Sequence, residues 1–556
     1  MKKLLGELLK EKGLINEARL QVALRHQQVT GQLLGEILIR LGFVSAMDIA
    51  QVLAEQAGLP FIDILNYPIN EDALRKIPKS TAQRFNFIPL EIRNGRLLIG
   101  ITNPGNVGAI DAVTRLTGIP PEVSIVDSES FQDVLERSYY FMENPIKEQI
   151  AEIISKLKTQ ETAPPQIVSN LLDLLITEGM RRKATDIHIS SSYDSVDVFY
   201  RIDGILQHGF CIPKIAQTPL ISRIKVLARL DITEQRLPQD GAFLFQFLDR
   251  NYEMRVSVVP TIYGENVVIR VLGFSGALLR LTNLGFHEHD IRKLKSLFSK
   301  PHGMIIVAGP TGSGKTTTIY AAMREINLLE RNVLSIEDPV EYRMSFVRQV
   351  QVNEKIGLDF VLAGRNFMRQ DPDVIFIGEI RDEGTARIAI RASITGHLVL
   401  STLHTNDAAT AVPRLIDLGV DRFLLSSSLL GVIAQRLVRL LCPRCKIEYP
   451  INPDTLSELI SQTADPELHV MIQKTKRLYS PKGCEFCSYT GYSGRTAIGE
   501  VIIFDDELRE MIVEGASVAH MKEVARKKGT SFMKEDGIRK VLMGLTTLEE
   551  LKRVIG

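Results

Sequence analysis

Tryptophan is absent from the 556 residues and cysteine occurs only five times. The absence of tryptophan counts against a base-stacking channel for single-stranded nucleic acid. Neither charge sign is in excess: 67 lysines and arginines face 66 aspartates and glutamates, for a formal net charge of +1. That balance excludes a protein that holds nucleic acid through a basic global field. Long hydrophobic runs are missing too. The longest apolar stretches, residues 304–309, 374–378 and 398–403, fall short of the roughly 18 residues of a membrane helix and read as buried strands. The first residues, Met1-Lys2-Lys3-Leu4-Leu5-Gly6-Glu7, are interrupted by charge before an apolar core can develop, so secretion by a signal peptide is not expected. Apolar residues at 45% and charged ones at 24% are ordinary for a folded globular protein, and disorder is not indicated.

What is present divides into several domains, as a chain of this length requires. Residues 1–59 hold a tandem repeat with a 29-residue period: Leu5-Gly6, Leu8, Gly13, Leu14-Ile15, Leu20, Leu24 and Gln27 recur as Leu34-Gly35, Ile37, Gly42, Phe43-Val44, Ile49, Leu53 and Gln56. Each copy reads as two short helices broken at the central glycine, and the pair as a small helical domain. Residues 60–143 mix strand and helix patterns and read as a compact α+β domain. The charged segment 144–166, ending in Pro164-Pro165, is the linker expected from composition. A second α+β domain is expected over 167–274. From 275 to 556, apolar strand runs alternate with helices, which predicts a parallel α/β domain.

That last domain carries the strongest motif. An apolar strand runs into Gly309-Pro310-Thr311-Gly312-Ser313-Gly314-Lys315-Thr316, and a helix beginning with Thr317 follows. This is a complete P-loop in its proper strand–loop–helix context. Glycines let consecutive backbone N–H groups turn toward phosphate oxygens, and the helix N-terminus adds its positive end. Lys315 is expected on the β and γ phosphates and Thr316 on Mg²⁺. Downstream, residues 373–379 form an apolar strand ending in Glu379, with the usual aspartate displaced to its start as Asp373. Glu379 is expected to hold Mg²⁺ through water or to polarise the attacking water. A second acidic cluster, Glu337-Asp338-Pro339-Val340-Glu341, offers Glu337 as the water-activating base, with Glu341 beside it. His397 and His404 bracket another strand, and the company of the P-loop makes both catalytic candidates.

The P-loop, the acidic box at 336–341, the segment Arg369-Gln370-Asp371-Pro372-Asp373 through Glu379-Ile380-Arg381-Asp382 and the stretch 396–407 together resemble the type II secretion and type IV pilus assembly ATPases. Upstream, Asp186-Ile187-His188, Arg201-Ile202-Asp203-Gly204, residues 231–241 and Arg255-Val256-Ser257 extend the resemblance over essentially the whole chain. It implies a RecA-like P-loop domain preceded by a PAS-like α+β domain that closes over ATP. It also implies a homohexamer, and Arg236, Arg255 and Arg270 as phosphate contacts. An arginine fork stabilises charge on a γ-phosphate only when closure delivers it, which would couple chemistry to movement.

Four of the five cysteines form two knuckles, Cys442-Pro443-Arg444-Cys445 and Cys484-Glu485-Phe486-Cys487. Their spacing suits four thiolates around a structural Zn²⁺ within a subdomain of about residues 438–495. The competing redox reading lacks a thioredoxin-like context. Cys211 reads as an ordinary core residue and is given no role. The amino-terminal repeat resembles the cyclic di-GMP-binding module found at the front of some of these ATPases. Leu4 and Leu33 stand where that motif has arginine, removing the groups suited to phosphate and guanine. A helical docking module for another subunit is the other reading.

The expected function is that of a hexameric motor. ATP hydrolysis, with Mg²⁺ bound, would drive assembly of a type IV pilus or a secretion pseudopilus through an inner-membrane platform protein and an adaptor. The expected location is the cytoplasm, at the inner face of the cytoplasmic membrane, with no nucleic acid as partner. The alternatives are a nucleotide-responsive scaffold or cyclic di-GMP sensor with weak hydrolysis, and a nucleic-acid translocase, against which composition counts.

Overall fold

A computed structural model describes residues 4–272 and 280–556. The chain forms two compact units, one of Met1–Leu8 with Ala46–Gly276 and one of Leu9–Ser45 with Ala277–Gly556.

The repeat folds as four helices, Leu5–Glu11, Glu17–Thr30, Leu34–Arg40 and Ala46–Ala57. Its two turns are copies of each other. Gly13 and Gly42 both adopt left-handed backbone, at φ 66 and 72, and the next amide reaches back five residues in each, Leu14 to Leu9 and Phe43 to Leu38. Leu4 and Leu33 are 73% and 69% exposed, so neither belongs to a core. The four helices do not make one domain, which corrects the boundary expected at 59. In Ala46–Ala57, Ala50 and Ala54 are buried in the core of the following α+β domain, against residues such as Phe87, Ile99 and Leu135. That domain has a three-stranded sheet of Phe87–Arg93, Arg96–Ile101 and Glu122–Ile125, antiparallel then parallel.

A second correction falls on the linker. Residues Ile146–Lys158 are a helix, and Ile146, Ile150, Ile153 and Leu157 bury one apolar stripe in the next core. The stripe's i, i+4, i+7, i+11 spacing is helical despite the charges between. Pro165 opens the helix Pro165–Arg181, where a missing N–H costs nothing. Residues 159–164, between the two helices, form neither helix nor strand.

These two helices and Gln217–Ala228 accompany a six-stranded antiparallel sheet. Its strands are ordered Ile205–Pro213, Ser195–Ile202, Asp186–Ser191, Gly264–Leu272, Arg250–Thr261 and Gln239–Phe247, and Cys211, expected in a core, is instead exposed on the edge strand Ile205–Pro213. Along Asp186–Ser191, Ile187 and Ile189 point into the core while Asp186 and His188 share the opposite face, following the period-two pleat.

The other unit is built on a seven-stranded sheet ordered Val347–Gln351, Val333–Glu337, Val374–Ile377, Leu398–Leu403, Gly303–Ala308, Leu429–Leu441 and Tyr492–Ile503. The first six strands run parallel and the last antiparallel. Parallel strands buried on both faces read as continuous apolar runs, which is why these were legible. Helices Lys315–Glu325, Phe360–Phe367 and Glu383–Ile394 flank the sheet, and four helices from Asp506–Glu514 to Leu548–Ile555 close the chain. Among the described residues, no helix is long and apolar enough to cross a membrane.

Candidate active site

Register gathers the expected residues on one edge. Gly303–Ala308 ends at the P-loop, Val333–Glu337 ends on Glu337, Val374–Ile377 ends two residues before Glu379, and Leu398–Leu403 ends one before His404. Ligands of open parallel sheets bind in the crevice outside this carboxyl edge.

The helix Lys315–Glu325 starts on Lys315, directly after Gly314 at φ 85, a backbone that a side chain would strain. A Cβ on Gly309 would lie 2.5 Å from Ser313 Oγ and 2.6 Å from the Gln435 carbonyl oxygen, so only glycine fits there. Lys315 is buried, and its Nζ donates to the carbonyls of Gly309 at 2.9 Å and Pro310 at 3.1 Å. Burial lowers its pKa below the ordinary lysine value, while the charge of Glu379 opposes that effect. Ser313 Oγ is buried and has no partner among the described residues, and a hydroxyl so placed within a P-loop suits an incoming phosphate oxygen. Thr316 and Thr317 are half-buried, while Pro310, Thr311 and Gly312 face solvent.

Gln435, in Leu429–Leu441, escaped the sequence reading. Its Nε2 donates to the Ser313 carbonyl at 2.7 Å, and its Oε1 accepts from Thr318 Oγ1 at 2.7 Å. The signal was a lone amide inside an apolar strand. A buried amide is retained only where its donors and acceptors are satisfied.

The carboxylates occupy different settings. Glu337 is buried, accepting from Tyr320 Oη at 2.5 Å, Ser335 Oγ at 2.6 Å and Gln349 Nε2 at 3.2 Å. Burial and the adjoining Glu337 push the Tyr320 hydroxyl far above its ordinary value, so it stays a donor. Glu341 is exposed on the loop beyond Pro339. Glu379 pairs with Arg381 and lies 3.4 Å from His404 Nε2. His397 is a correction: it precedes Leu398 at the opposite end of the same strand, where its Nδ1 contacts the Ala392 carbonyl at 2.9 Å. Six strand residues separate it from His404, on the order of 20 Å. Asp373 also sits at that far end, accepting the Asn332 backbone N–H at 2.7 Å.

In the other unit, Arg255 and Arg270 face each other in register. Arg270 Nε lies 2.9 Å from Asp186, and Arg201, across the adjoining strand, 3.8 Å from the same carboxylate. Arg255 pairs with Glu253 at 3.5 Å, and Arg236, 88% exposed, with Glu234 at 3.2 Å. The Arg255 and Arg236 pairs are exposed and contribute little stability, so a polyanion could displace them cheaply; Asp186, the partner of Arg270, is buried.

The four knuckle cysteines converge, with all four Sγ atoms within 4.8 Å of one another. Cys442–Cys484 and Cys445–Cys487 are each 3.8 Å apart and Cys484–Cys487 3.7 Å. Tetrahedral zinc thiolates at about 2.3 Å require sulfur separations of about 3.8 Å, so the set fits that ion. Burial works to raise the Cys487 thiol, yet backbone N–H groups of Cys484 and Gly491, 3.2 and 3.1 Å away, bring it down to about 7. Bonds of that kind favour a thiolate.

A family model described as type II/IV secretion system protein matches residues 161–553, and an MshEN domain model matches residues 57–145. The second match therefore falls on the α+β domain, beyond the repeat. The chain is 38% identical over 563 residues to the type IV pilus assembly ATPase PilB of Myxococcus xanthus, covering 98% of each. It is 38% identical over 562 residues to the type II secretion system protein E of Xanthomonas campestris pv. campestris, covering 99% of this chain and 97% of that one. The X-ray structure of the Legionella pneumophila ATPase DotB shares the fold, with a TM-score of 0.50 at 19% identity, over 71% of this chain and 96% of that one.

Proposed function

Since the chain belongs to the type II/IV secretion system protein family and is an ATPase, we propose that it is a homohexameric motor driving assembly of a type IV pilus or secretion pseudopilus through a membrane platform protein. The observation that carries the catalytic part is the common edge: Lys315, Glu337, Glu379 and His404 end or follow neighbouring parallel strands beside an orphaned, buried Ser313 hydroxyl.

In this reading the amides of 311–316 receive the phosphates, and Lys315 exchanges the Gly309 and Pro310 carbonyls for β and γ oxygens. The Thr316 hydroxyl and, through water, Glu379 would hold Mg²⁺, which would supply charge neutralisation when bound. Glu337 takes the proton of the attacking water as that water's oxygen bonds to the γ-phosphorus and the bond to the ADP oxygen breaks, and His404 keeps Glu379 oriented. Arg236, Arg255 and Arg270 are the phosphate contacts of the preceding domain, exchanging Glu234, Glu253 and Asp186 for a stronger anion. Cys442, Cys445, Cys484 and Cys487 would hold Zn²⁺ as a closed structural site. The motor works in the cytoplasm against the inner face of the membrane.

The oligomer is tested by mass photometry of the purified full chain with magnesium and a non-hydrolysable ATP analogue. Six-fold mass supports the ring, and a monomer at micromolar concentration contradicts it.

A further inference from the structure

Three contacts tie the amino-terminal repeat to elements that carry the candidate site, and they adjoin one another. Arg19 donates through Nη2 to the carbonyls of Ile326 at 3.3 Å and Arg324 at 3.5 Å. Those carbonyls terminate Lys315–Glu325, the helix that begins at the P-loop. A guanidinium there satisfies carbonyls that lack a helical partner and complements the negative end of the helix. The same guanidinium lies 5.7 Å from the centre of the Phe43 ring. Phe43 in turn stacks on Phe346, with centroids 5.8 Å apart and planes 8° from parallel. Beside this stack, Ser345 Oγ donates to the Arg40 carbonyl at 3.1 Å.

Ser345 and Phe346 form the tip of the loop between the acidic box and Val347–Gln351. That loop is bonded to the Glu337 cluster at its base. Tyr342 N–H donates to Tyr320 Oη at 3.3 Å and Met344 N–H to Gln349 Oε1 at 2.8 Å. Gln349 Nε2 donates both to the Tyr342 carbonyl at 2.8 Å and to Glu337 at 3.2 Å. Tyr320 and Gln349 are therefore shared between the loop and the carboxylate. Of the clamping residues, Phe43 is the larger aromatic counterpart of Leu14, and Arg19 corresponds to Asp48, of opposite charge. Their chemistry is not accounted for by the internal symmetry of the repeat.

We infer that residues 19–43 of the repeat are an intrachain brake: docked through Arg19 and Phe43, they immobilise the 342–346 loop and so keep Glu337 tied to Tyr320 and Gln349. This rests on the reading of Glu337 as the base. Three donors already occupy three of the carboxylate's roughly four lone-pair sites, so the attacking water must compete with them for Glu337, and a fixed loop keeps them in place. Undocking of the repeat then raises turnover, and a partner that captures Arg19 or Phe43 would act as an activator.

The test uses the full chain with Phe346→Gly and Arg19→Gln. Phe346 has φ 66, so glycine removes the ring at a position whose backbone suits it. Amide hydrogen exchange over residues 34–45 and steady-state ATP turnover are measured together. The brake predicts exchange at least tenfold faster in 34–45 and kcat raised at least threefold in both variants. Unchanged exchange in both overturns the docking, and faster exchange with unchanged or lower kcat overturns the brake. Glu337→Gln in the same assay separates the two readings: if it turns over at the parental rate, Glu337 is not the base and the coupling loses its object, whatever the exchange shows.

Discussion

Gln435 bridges the two ends of the P-loop turn, donating to the Ser313 carbonyl at 2.7 Å while accepting from Thr318 Oγ1, also at 2.7 Å. One side chain from a neighbouring strand thus fixes the loop to the first turn of its helix. A loop that must present several amides to one phosphate depends on such preorganisation.

Gln435→Leu keeps the volume and strands both partners. Leaving a buried carbonyl and hydroxyl unsatisfied costs about 1–3 kcal/mol each. The expected outcome is ATP binding weakened about tenfold or more and a lower melting temperature, read by calorimetry and thermal scanning. Unaltered affinity would remove Gln435 from the site.

The two histidines separate a near residue from a far one. His404→Ala should reduce kcat at least tenfold, because Glu379 loses its neighbour at 3.4 Å. His397→Ala should leave kcat of the isolated ATPase reaction within about twofold, and phosphate-release assays on both variants decide the matter.

For the cysteine cluster, elemental analysis should find one zinc per chain, and Cys442→Ser should lower both zinc content and melting temperature, since metal binding and local folding are linked. Thiolates are the ligands, so zinc affinity should fall as pH drops below 7. Zinc absent from protein purified without chelator would refute the assignment.

Glu550 provides a pH prediction. Burial opposes its ionisation, but hydrogen bonds from Arg553 and Arg439 win and hold its carboxyl down to about 2. A depressed folded pKa contributes stability that is complete above the unfolded value of about 4.3 and is lost as pH falls toward 2. Glu550→Gln should therefore destabilise the closing helices by on the order of 3 kcal/mol near neutrality. Its melting-temperature deficit against the parent should shrink as pH is lowered from about 4.5 toward 3.

Much of this was legible because the chemistry lies in contiguous motifs. The P-loop, the apolar strands ending at Glu337 and Glu379, and the cysteine knuckles announce themselves by spacing. The repeat was legible for the same reason, since Gly13 and Gly42 mark equivalent left-handed turns. What failed was non-local. The stripe Ile146, Ile150, Ile153 and Leu157 was hidden among charges and read as linker, although its period was helical. His397 and His404 look equivalent in sequence, yet a six-residue strand sends them to opposite edges of the sheet. Gln435 reaches the P-loop only because its strand pairs with Gly303–Ala308, placing Ala434 beside Ala308.

The most direct test of the catalytic account is phosphate release by purified Lys315→Ala and Glu379→Gln beside the parent chain, with ATP binding measured in parallel. The account predicts that Lys315→Ala loses turnover at least a hundredfold, and that Glu379→Gln binds ATP with near-parental affinity but fails to release phosphate. Turnover within twofold of the parent in both variants would contradict it.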